Sequence, residues 1–243
     1  MRLLLTRPRT DDDQLAAMLL AAGHQLISDP LLSIEALPLA PIALAGLQAI
    51  AVTSSNAVRA LAPSPAMTRL PLYAVGAATA RLARARGFQT IVESDTDARA
   101  LAGTLASQLD PGLGAVLYLR GEDIAFDLAA ALRAANFPVE HRITYRANPA
   151  DRFSSETGAA LAANALDGVV LLSPRTTGVY LRLVKQAGFL DRLARLQHYC
   201  LSDRVAEPLL ASGLTNASAP ARPNLQELVA LIGLNATQST SSA

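Results

Sequence analysis

The segment VLYLRGEDIAFDLAAALRAANFPV, residues 116–139, is matched without a gap by LLLTRPRTDDDQLAAMLLAAGHQL, residues 3–26. Arg7 falls on Arg120 at the end of the first apolar run, and the leucines and alanines of the second part coincide. In each copy a short continuous apolar run leads through a polar turn to apolar residues spaced by three and four. That order predicts a buried strand followed by an amphipathic helix.

The strand-turn-helix pattern recurs in four further units, with apolar runs at residues 50–52, 72–75, 169–172 and 199–201. Polar turns of the two halves also match, because Ser54 aligns with Ser173. Alanine-rich helices resemble one another by chance, but matches at strand ends favour a tandem duplication of a three-unit module. Alternating strands and helices predict a parallel α/β fold. We therefore expect two similar lobes of parallel-sheet βα units, Rossmann-like or flavodoxin-like, with a ligand cleft between them.

Composition excludes several classes of protein. Of 243 residues 51% are hydrophobic and 17% are charged, so the chain can bury a large core. The formal net charge of +1 gives no general basic field, and we expect no nucleic-acid partner. The single cysteine, Cys200, excludes a disulfide scaffold and is predicted to be a small buried side chain. The three histidines lack metal-ligand spacing, His24 and His141 are expected to be exposed, and no phosphate-binding glycine motif is present.

The longest uncharged stretch, residues 36–58, is long enough to span a bilayer. It contains Pro38, Pro41 and the polar run 53–56, so we interpret it as a connector, a helix and a buried strand, and expect no membrane partner. The initial apolar run is too short for a signal peptide, which favours the cytoplasm. Residues 236–243 are rich in Ser and Thr without periodicity and predict a disordered tail.

Polar residues follow the predicted strands at the points where helices begin. In open parallel sheets, ligands meet the carboxyl ends of the strands. Helix N-termini attract anions, and arginine binds carboxylates through two hydrogen bonds. The same serines and threonines could instead only cap helices, and the arginines could be solvated surface residues. The candidate binding residues for a multiply charged anion are Arg7, Thr53, Ser54, Asn56, Gly76, Thr79, Arg120, Gly121, Ser173, Arg175 and Ser202.

Tyr145 is the candidate catalytic residue. It ends the predicted strand 139–145 and precedes the polar stretch 148–151, which indicates a lobe boundary. A phenol in that position can donate a proton to a leaving group in the cleft. The alternative is an amphipathic packing residue, and the residues themselves leave both interpretations open.

Taken in order, these segments resemble the uroporphyrinogen-III synthase family over residues 3–232. The matching pieces are LTRP (5–8), GH leading to PLL (23–32), TSSNAV (53–58), YAVGAATA (73–80), LRGE (119–122), YR (145–146), LSPR (172–175) and CLS followed by VA (200–206). The resemblance implies two α/β lobes joined by a two-stranded connector. Residues 1–35 and 148–235 would form the first lobe, and residues 38–145 the second.

The resemblance also implies a reaction. The family cyclises hydroxymethylbilane, a linear tetrapyrrole, to uroporphyrinogen III in haem biosynthesis, with inversion of ring D and loss of water. The chain is therefore expected to be a hydro-lyase that works as a monomer without cofactor or metal, on a substrate handed over from hydroxymethylbilane synthase. Tyr145 would help the hydroxyl leave, and Thr79 and Ser173 would line the cleft. A non-catalytic two-lobe protein that binds a tetrapyrrole or another small polycarboxylate is the alternative.

Two loops depart from the family pattern. Residues 202–206, SDRVA, lack the threonine that some members carry there. Residues 123–127, DIAFD, lack the basic residue that many relatives have after the Arg-Gly-Glu segment. We therefore expect Arg120 to carry more of the anion binding.

Overall fold

The computed structural model describes residues 1–7, 13–94 and 97–240. The chain forms two compact units. Unit 1 comprises Met1–Ser33 and Pro149–Ala243, and unit 2 comprises Ile34–Asn148. The chain therefore passes from one unit to the other twice.

Strands and helices alternate through most of the described chain. The strands are β1 (Arg2–Leu5), β2 (Gln25–Ser28), β3 (Leu32–Ala36), β4 (Leu47–Val52), β5 (Leu72–Val75), β6 (Ile91–Ser94), β7 (Ala115–Gly121), β8 (Val139–Pro149), β9 (Gly168–Leu171), β10 (Gln197–Cys200) and β11 (Ala217–Ser218). The α-helices are α1 (Gln14–Ala21), α2 (Ser55–Arg59), α3 (Ala77–Ala85), α4 (Ala98–Gln108), α5 (Leu128–Ala134), α6 (Ser155–Ala162), α7 (Pro174–Gln186), α8 (Asp203–Ala211) and α9 (Leu225–Thr240). Among the described helices, none combines the length and the apolarity that crossing a membrane requires.

The sheet of unit 1 has the strand order β11-β10-β9-β1-β2, and every neighbouring pair is parallel. Leu4 lies in one buried apolar cluster, whereas its neighbours Leu3 and Leu5 lie in another. Both faces of the sheet are therefore covered. Burial on both faces requires apolar residues at successive positions, which explains the continuous apolar runs of the sequence.

The sheet of unit 2 has the strand order β3-β8-β7-β4-β5-β6 and is parallel from β8 to β6. Apart from β3, this is the order of unit 1, with β8 and β7 in the places of β2 and β1, and with β4, β5 and β6 in the places of β9, β10 and β11. The alignment of residues 3–26 with residues 116–139 predicts the correspondence of β1 with β7 and of β2 with β8. The prediction of two similar α/β units with parallel sheets is confirmed.

The two crossings between the units lie in β3 and β8, which are neighbours in the sheet of unit 2. In unit 2 the Leu37 N–H donates to the Thr144 carbonyl at 3.0 Å, and in unit 1 the Ala150 N–H donates to the Leu31 carbonyl at 3.0 Å. These pairings mean that the two segments run in opposite directions. They form the two-stranded connector that the resemblance implies.

Two predictions of secondary structure are wrong. Residues 37–46 form no helix, because Pro38 and Pro41 lack the N–H that an interior helical residue donates. Helix α9 continues to Thr240, so residues 236–240 of the predicted disordered tail are helical, and residues 241–243 lie outside the described residues. Leu228 and Ile232 of α9 are fully buried, and extending a helix that has already formed costs little free energy.

The buried polar groups of unit 1 include His24, which contradicts the expectation that it is exposed. Neither of its ring nitrogens has a hydrogen-bond partner among the described residues, and burial lowers its pKa. His141 in unit 2 is exposed, as expected.

Cys200 is buried, as predicted, and burial raises the pKa of its thiol to about 12. A thiol with that pKa stays protonated near neutral pH and is a poor nucleophile.

His198 is fully buried in the core of unit 1. Its Nε2 accepts a hydrogen bond from the Tyr180 hydroxyl at 3.1 Å, and its Nδ1–H donates to the Asn216 carbonyl at 3.3 Å. These two bonds suit a neutral ring with the proton on Nδ1. Burial lowers the pKa of His198 to about 4.

We expect the free energy of unfolding to decrease as the pH falls from about 6.5 to about 4. In this window the unfolded chain, in which a histidine has a pKa near 6.5, binds a proton that the folded chain does not. At about 1.4 kcal/mol per pKa unit, the loss from His198 is roughly 3 kcal/mol. Urea unfolding at a series of pH values measures it, and His198→Gln should flatten the pH dependence. A variant with the same pH dependence as the wild type would contradict this prediction.

Candidate active site

The predicted site residues of unit 2 lie along one edge of its sheet. Thr53 follows β4, Gly76 follows β5, Arg120 and Gly121 end β7, and Tyr145 lies in β8. These four strands are neighbours and parallel, so their carboxyl ends meet at the same edge. The structure therefore brings these candidates together within unit 2.

A β-bulge sets the position of Tyr145. Arg120 pairs with Ile143 and Gly121 pairs with Tyr145, so Thr144 is an extra residue in β8. The Thr144 hydroxyl donates a hydrogen bond to the Arg120 carbonyl at 3.2 Å. Because side chains alternate between the faces of a strand, the extra residue moves Tyr145 onto the face that Gly121 shares. On that face the ring packs against the buried apolar cluster formed by β4, β5, β7 and their helices.

Gly121 makes room for the ring of Tyr145. A Cβ atom at residue 121 would lie 2.6 Å from Cζ and 2.8 Å from the hydroxyl oxygen of Tyr145. Such distances are shorter than van der Waals contact, so only glycine fits at this position without a displacement of the ring. The structure thus gives Gly121 a packing role beside Tyr145, while its part in binding a ligand stays a prediction.

The turn after β7 uses one guanidinium nitrogen of Arg120. Its Nη1 donates to the carbonyls of Gly121 and Glu122, both at 2.9 Å. The Glu122 N–H donates to the Tyr145 carbonyl at 2.9 Å. The Glu122 carboxylate accepts from Nε of Arg146 at 2.6 Å and from Nη2 at 2.8 Å. Anion binding by Arg120 stays a prediction, with one of its nitrogens engaged by the backbone.

Sequence reasoning missed the pair formed by Glu122 and Arg146. The two residues are separated by 24 positions and meet only through the register of β7 and β8. Both residues belong to segments that resemble the family, but nothing in the sequence shows that they lie opposite each other. Strand register is the information that a single sequence lacks.

The turn after β4 contains the next three candidates. The Thr53 hydroxyl lies 3.4 Å from that of Tyr118, a neighbour that sequence reasoning also missed. Ser54 accepts the N–H of Asn56 at 3.2 Å and caps α2, and the Asn56 side-chain oxygen accepts from Arg59 at 3.0 Å. Burial raises the pKa of Tyr118, so its hydroxyl stays protonated near neutral pH. For Ser54 the structure shows the capping role, and a ligand contact stays a prediction.

Gly76 and Thr79 lie at the start of α3. Gly76 has a φ of 78°, a left-handed conformation that glycine adopts without strain. A Cβ atom there would meet nothing within 4 Å, so the backbone conformation and not the available space requires glycine. Thr79 lies in the first helical turn and is only 5% exposed, which leaves little of its side chain accessible to a ligand.

The remaining candidates lie at the carboxyl edge of the sheet in unit 1. Arg7 follows β1, Ser173 and Arg175 follow β9, and Ser202 follows β10; these three strands are neighbours. Ser173 accepts the N–H of Thr176 at 3.1 Å and caps α7. Ser202 precedes α8 and, within the described chain, makes no side-chain hydrogen bond to the start of that helix.

Each edge offers hydroxyl groups, arginines and helix starts, which suit the carboxylates of an organic anion. Over the ranges that the structure describes, no three His, Cys, Asp or Glu side chains lie close enough to hold a metal ion. The phenol of Tyr145 adds a group that can donate a proton at the edge of unit 2.

Comparisons with known proteins identify the family. A family model described as Uroporphyrinogen-III synthase HemD matches residues 13–230, which is most of the chain. The structure of uroporphyrinogen-III synthetase from Helicobacter pylori has a TM-score of 0.67 at 17% identity and covers 96% of this chain and 98% of its own. The structure of a mutant uroporphyrinogen III synthase from Thermus thermophilus has a TM-score of 0.60 at 16% identity and covers 99% of both chains.

The two solved structures support the two-lobed α/β fold. Because their sequences are only 16% and 17% identical to this chain, they support no conclusion about its function. The family model carries the assignment, because it matches well over half of the chain. The family suggested by the ordered segments of the sequence is therefore confirmed. This chain belongs to the uroporphyrinogen-III synthase family, whose members are cyclising lyases.

Proposed function

We propose that this chain cyclises hydroxymethylbilane to uroporphyrinogen III, and that Tyr145 assists the departure of the hydroxyl group. Family membership supports the reaction. The observation that supports the role of Tyr145 is its position at the carboxyl edge of the sheet in unit 2. The bulge at Thr144 places the ring on the Gly121 face, and Gly121 leaves space for it because it has no side chain. Ligands of parallel α/β sheets bind at that edge.

The proposed step begins at the terminal hydroxymethyl group of the bilane. The bond between its carbon and oxygen breaks while the phenol of Tyr145 donates a proton, so water leaves and an azafulvene cation remains. A new carbon–carbon bond then forms between this methylene carbon and the substituted α-carbon of ring D, which gives a spiro intermediate. The older bond from that α-carbon to the methylene bridge of ring C breaks, the bridge bonds to the free α-carbon of ring D, and Tyr145 recovers its proton when this carbon loses its hydrogen as a proton. Donation of a proton to a leaving group lowers the barrier because hydroxide alone leaves poorly.

The other candidates bind the substrate in this proposal. Arg7 and Arg175 interact with carboxylates, and the turns that begin at Thr53, Gly76 and Ser202 supply hydroxyls and backbone N–H groups. The net charge of +1 is compatible with this role, because the local field within a few ångströms decides binding and distant charges are screened. The bilane closes without an enzyme to the uninverted isomer. The main task of the protein is therefore to hold the bilane in a conformation from which it closes with ring D inverted.

We also propose that the chain acts as a monomer in the cytoplasm and receives the bilane from hydroxymethylbilane synthase. The reactivity of the bilane supports the handover, because each moment in free solution allows closure to the wrong isomer. A direct transfer would limit that loss.

The test is the isomer composition of the product. Purified protein is mixed with bilane freshly made by hydroxymethylbilane synthase, and the oxidised products are separated by chromatography. We expect mainly the type III isomer, whereas protein-free samples give type I. Type I at the protein-free rate would refute the enzymatic function, and tight tetrapyrrole binding without isomer control would select the binding-protein alternative.

A further inference from the structure

Three contacts join the turn after β7 to the part of β8 that carries Tyr145. The Glu122 N–H donates to the Tyr145 carbonyl at 2.9 Å, and the Glu122 carboxylate binds Arg146 through two hydrogen bonds at 2.6 and 2.8 Å. On the other side, Arg120 Nη1 donates to the Glu122 carbonyl at 2.9 Å. Glu122 is therefore bound to β8 through its backbone, at the carbonyl of Tyr145, and through its side chain, at the guanidinium of Arg146.

The location of these contacts matters because they lie at the bulge. At a bulge the regular ladder is interrupted, so the strand there is held by fewer backbone hydrogen bonds. A shift of one residue would move Tyr145 to the opposite face of the sheet. Arg146 directly follows Tyr145, so fixing the guanidinium in two places limits movement of the tyrosine along and about the strand.

The ion pair contributes little to overall stability. The side chains of Arg146 and Glu122 are 44% and 41% exposed, and exposed ion pairs add about 0 to 1 kcal/mol. Another ion pair with similarly exposed side chains lies earlier in β8, where Arg142 Nη2 is 3.2 Å from Glu140 Oε2 and the side chains are 38% and 42% exposed. This second pair is separated from the bulge, and it provides a matched control.

We propose that Glu122 and Arg146 are positioning residues that hold Tyr145 on the Gly121 face of the sheet for the cyclisation. This inference rests on the proposed function of Tyr145. The contribution of the pair is geometric: it acts on the orientation of the phenol and leaves the affinity for the bilane carboxylates unchanged.

Two matched variants test the effect on the reaction. Glu122→Ala should lower kcat for type III formation about tenfold, because small displacements of a catalytic group cost this much or more. Its KM should stay close to that of the wild type, and the share of type I product should increase as unaided closure competes. Glu140→Ala should retain the kinetics of the wild type. Thermal unfolding should give the same Tm for both variants, so that a difference in kcat is not a difference in folding.

A second pair of variants separates charge from geometry. Arg146→Lys keeps the positive charge but loses the planar two-point contact, and it should reproduce the loss of kcat in Glu122→Ala. Arg142→Lys is its control and should be neutral. Wild-type kcat in both Glu122→Ala and Arg146→Lys would overturn the proposal.

The position of Tyr145 can also be measured without the reaction. The chain has five tyrosines and no tryptophan, so labelling with 3-fluorotyrosine gives few fluorine NMR signals, and Tyr145→Phe assigns the one from residue 145. Glu122→Ala should shift or broaden this signal and leave the other four in place, whereas Glu140→Ala should change none. An unchanged Tyr145 signal overturns the positioning role even if the wild-type protein makes no type III product, so this readout is independent of the proposed function.

Discussion

Tyr145→Phe is expected to lower the rate of uroporphyrinogen III formation about a thousandfold, which is within the range that general acids contribute. The substitution removes one hydroxyl group and keeps the ring that packs against the apolar cluster of unit 2. The free energy of unfolding should therefore stay close to that of the wild type. The remaining product should be mainly type I, because the uncatalysed closure of the bilane is then faster than the enzymatic closure.

The control for this variant is Tyr73→Phe. Tyr73 is a buried tyrosine of the same sheet, only 4% exposed, and it lies in the apolar cluster on the side of the sheet opposite to Tyr145. We expect this variant to retain wild-type kcat. Full activity of Tyr145→Phe would show that the phenol is a packing residue and that the proton comes from another group.

Gly121→Ala is expected to reduce kcat about a hundredfold, although it adds a single methyl group. The new Cβ atom would lie 2.6 Å from Cζ of Tyr145, so the ring must move by about 1 Å to reach normal contact. A displacement of that size at a reacting group can cost a hundredfold in rate. The strain should also lower the free energy of unfolding by about 1 to 3 kcal/mol.

Two further variants make this prediction specific. Gly103→Ala adds a methyl group in α4 of the same unit, where no atom lies within 4 Å, and alanine there should stabilise the helix by about 0.5 to 1 kcal/mol. In a Tyr145→Ala background the Gly121→Ala substitution should cost much less stability, because the clashing ring is absent. Equal losses in both backgrounds would place the strain in the backbone instead of the ring.

Much of the fold could be predicted from the sequence because it depends on local patterns. The segments that form β1 and β7 and the helices after them align without a gap and share the spacing of their apolar residues, and this similarity indicates the repetition of the α/β unit. The failures have equally local causes. Residues 37–46 have the apolar composition of a helix but contain two prolines. The end of α9 has a polar composition but continues a helix anchored by Leu228 and Ile232.

The site was predicted less completely because it depends on register. That polar turns gather at the carboxyl edge of each sheet follows from parallel strand order alone. The bulge at Thr144 leaves no mark in the sequence, since Ile143, Thr144 and Tyr145 suit a regular strand equally well. The pairing of Glu122 with Arg146 and the contact of Gly121 with the Tyr145 ring both depend on that one extra residue.

The pairing of β1 has a consequence for the synthesis of the chain on the ribosome. Leu3 of β1 pairs with Gly168 of β9, so one side of the strand remains open until the ribosome has translated all of unit 2. Unit 2 is one continuous segment, and its strands can pair as soon as they leave the exit tunnel. Nascent chains would therefore carry a folded unit 2 next to an incomplete unit 1, in which one edge of β1 has no strand paired to it. Such an edge is prone to aggregate, which makes this interval the time when a chaperone would be most useful.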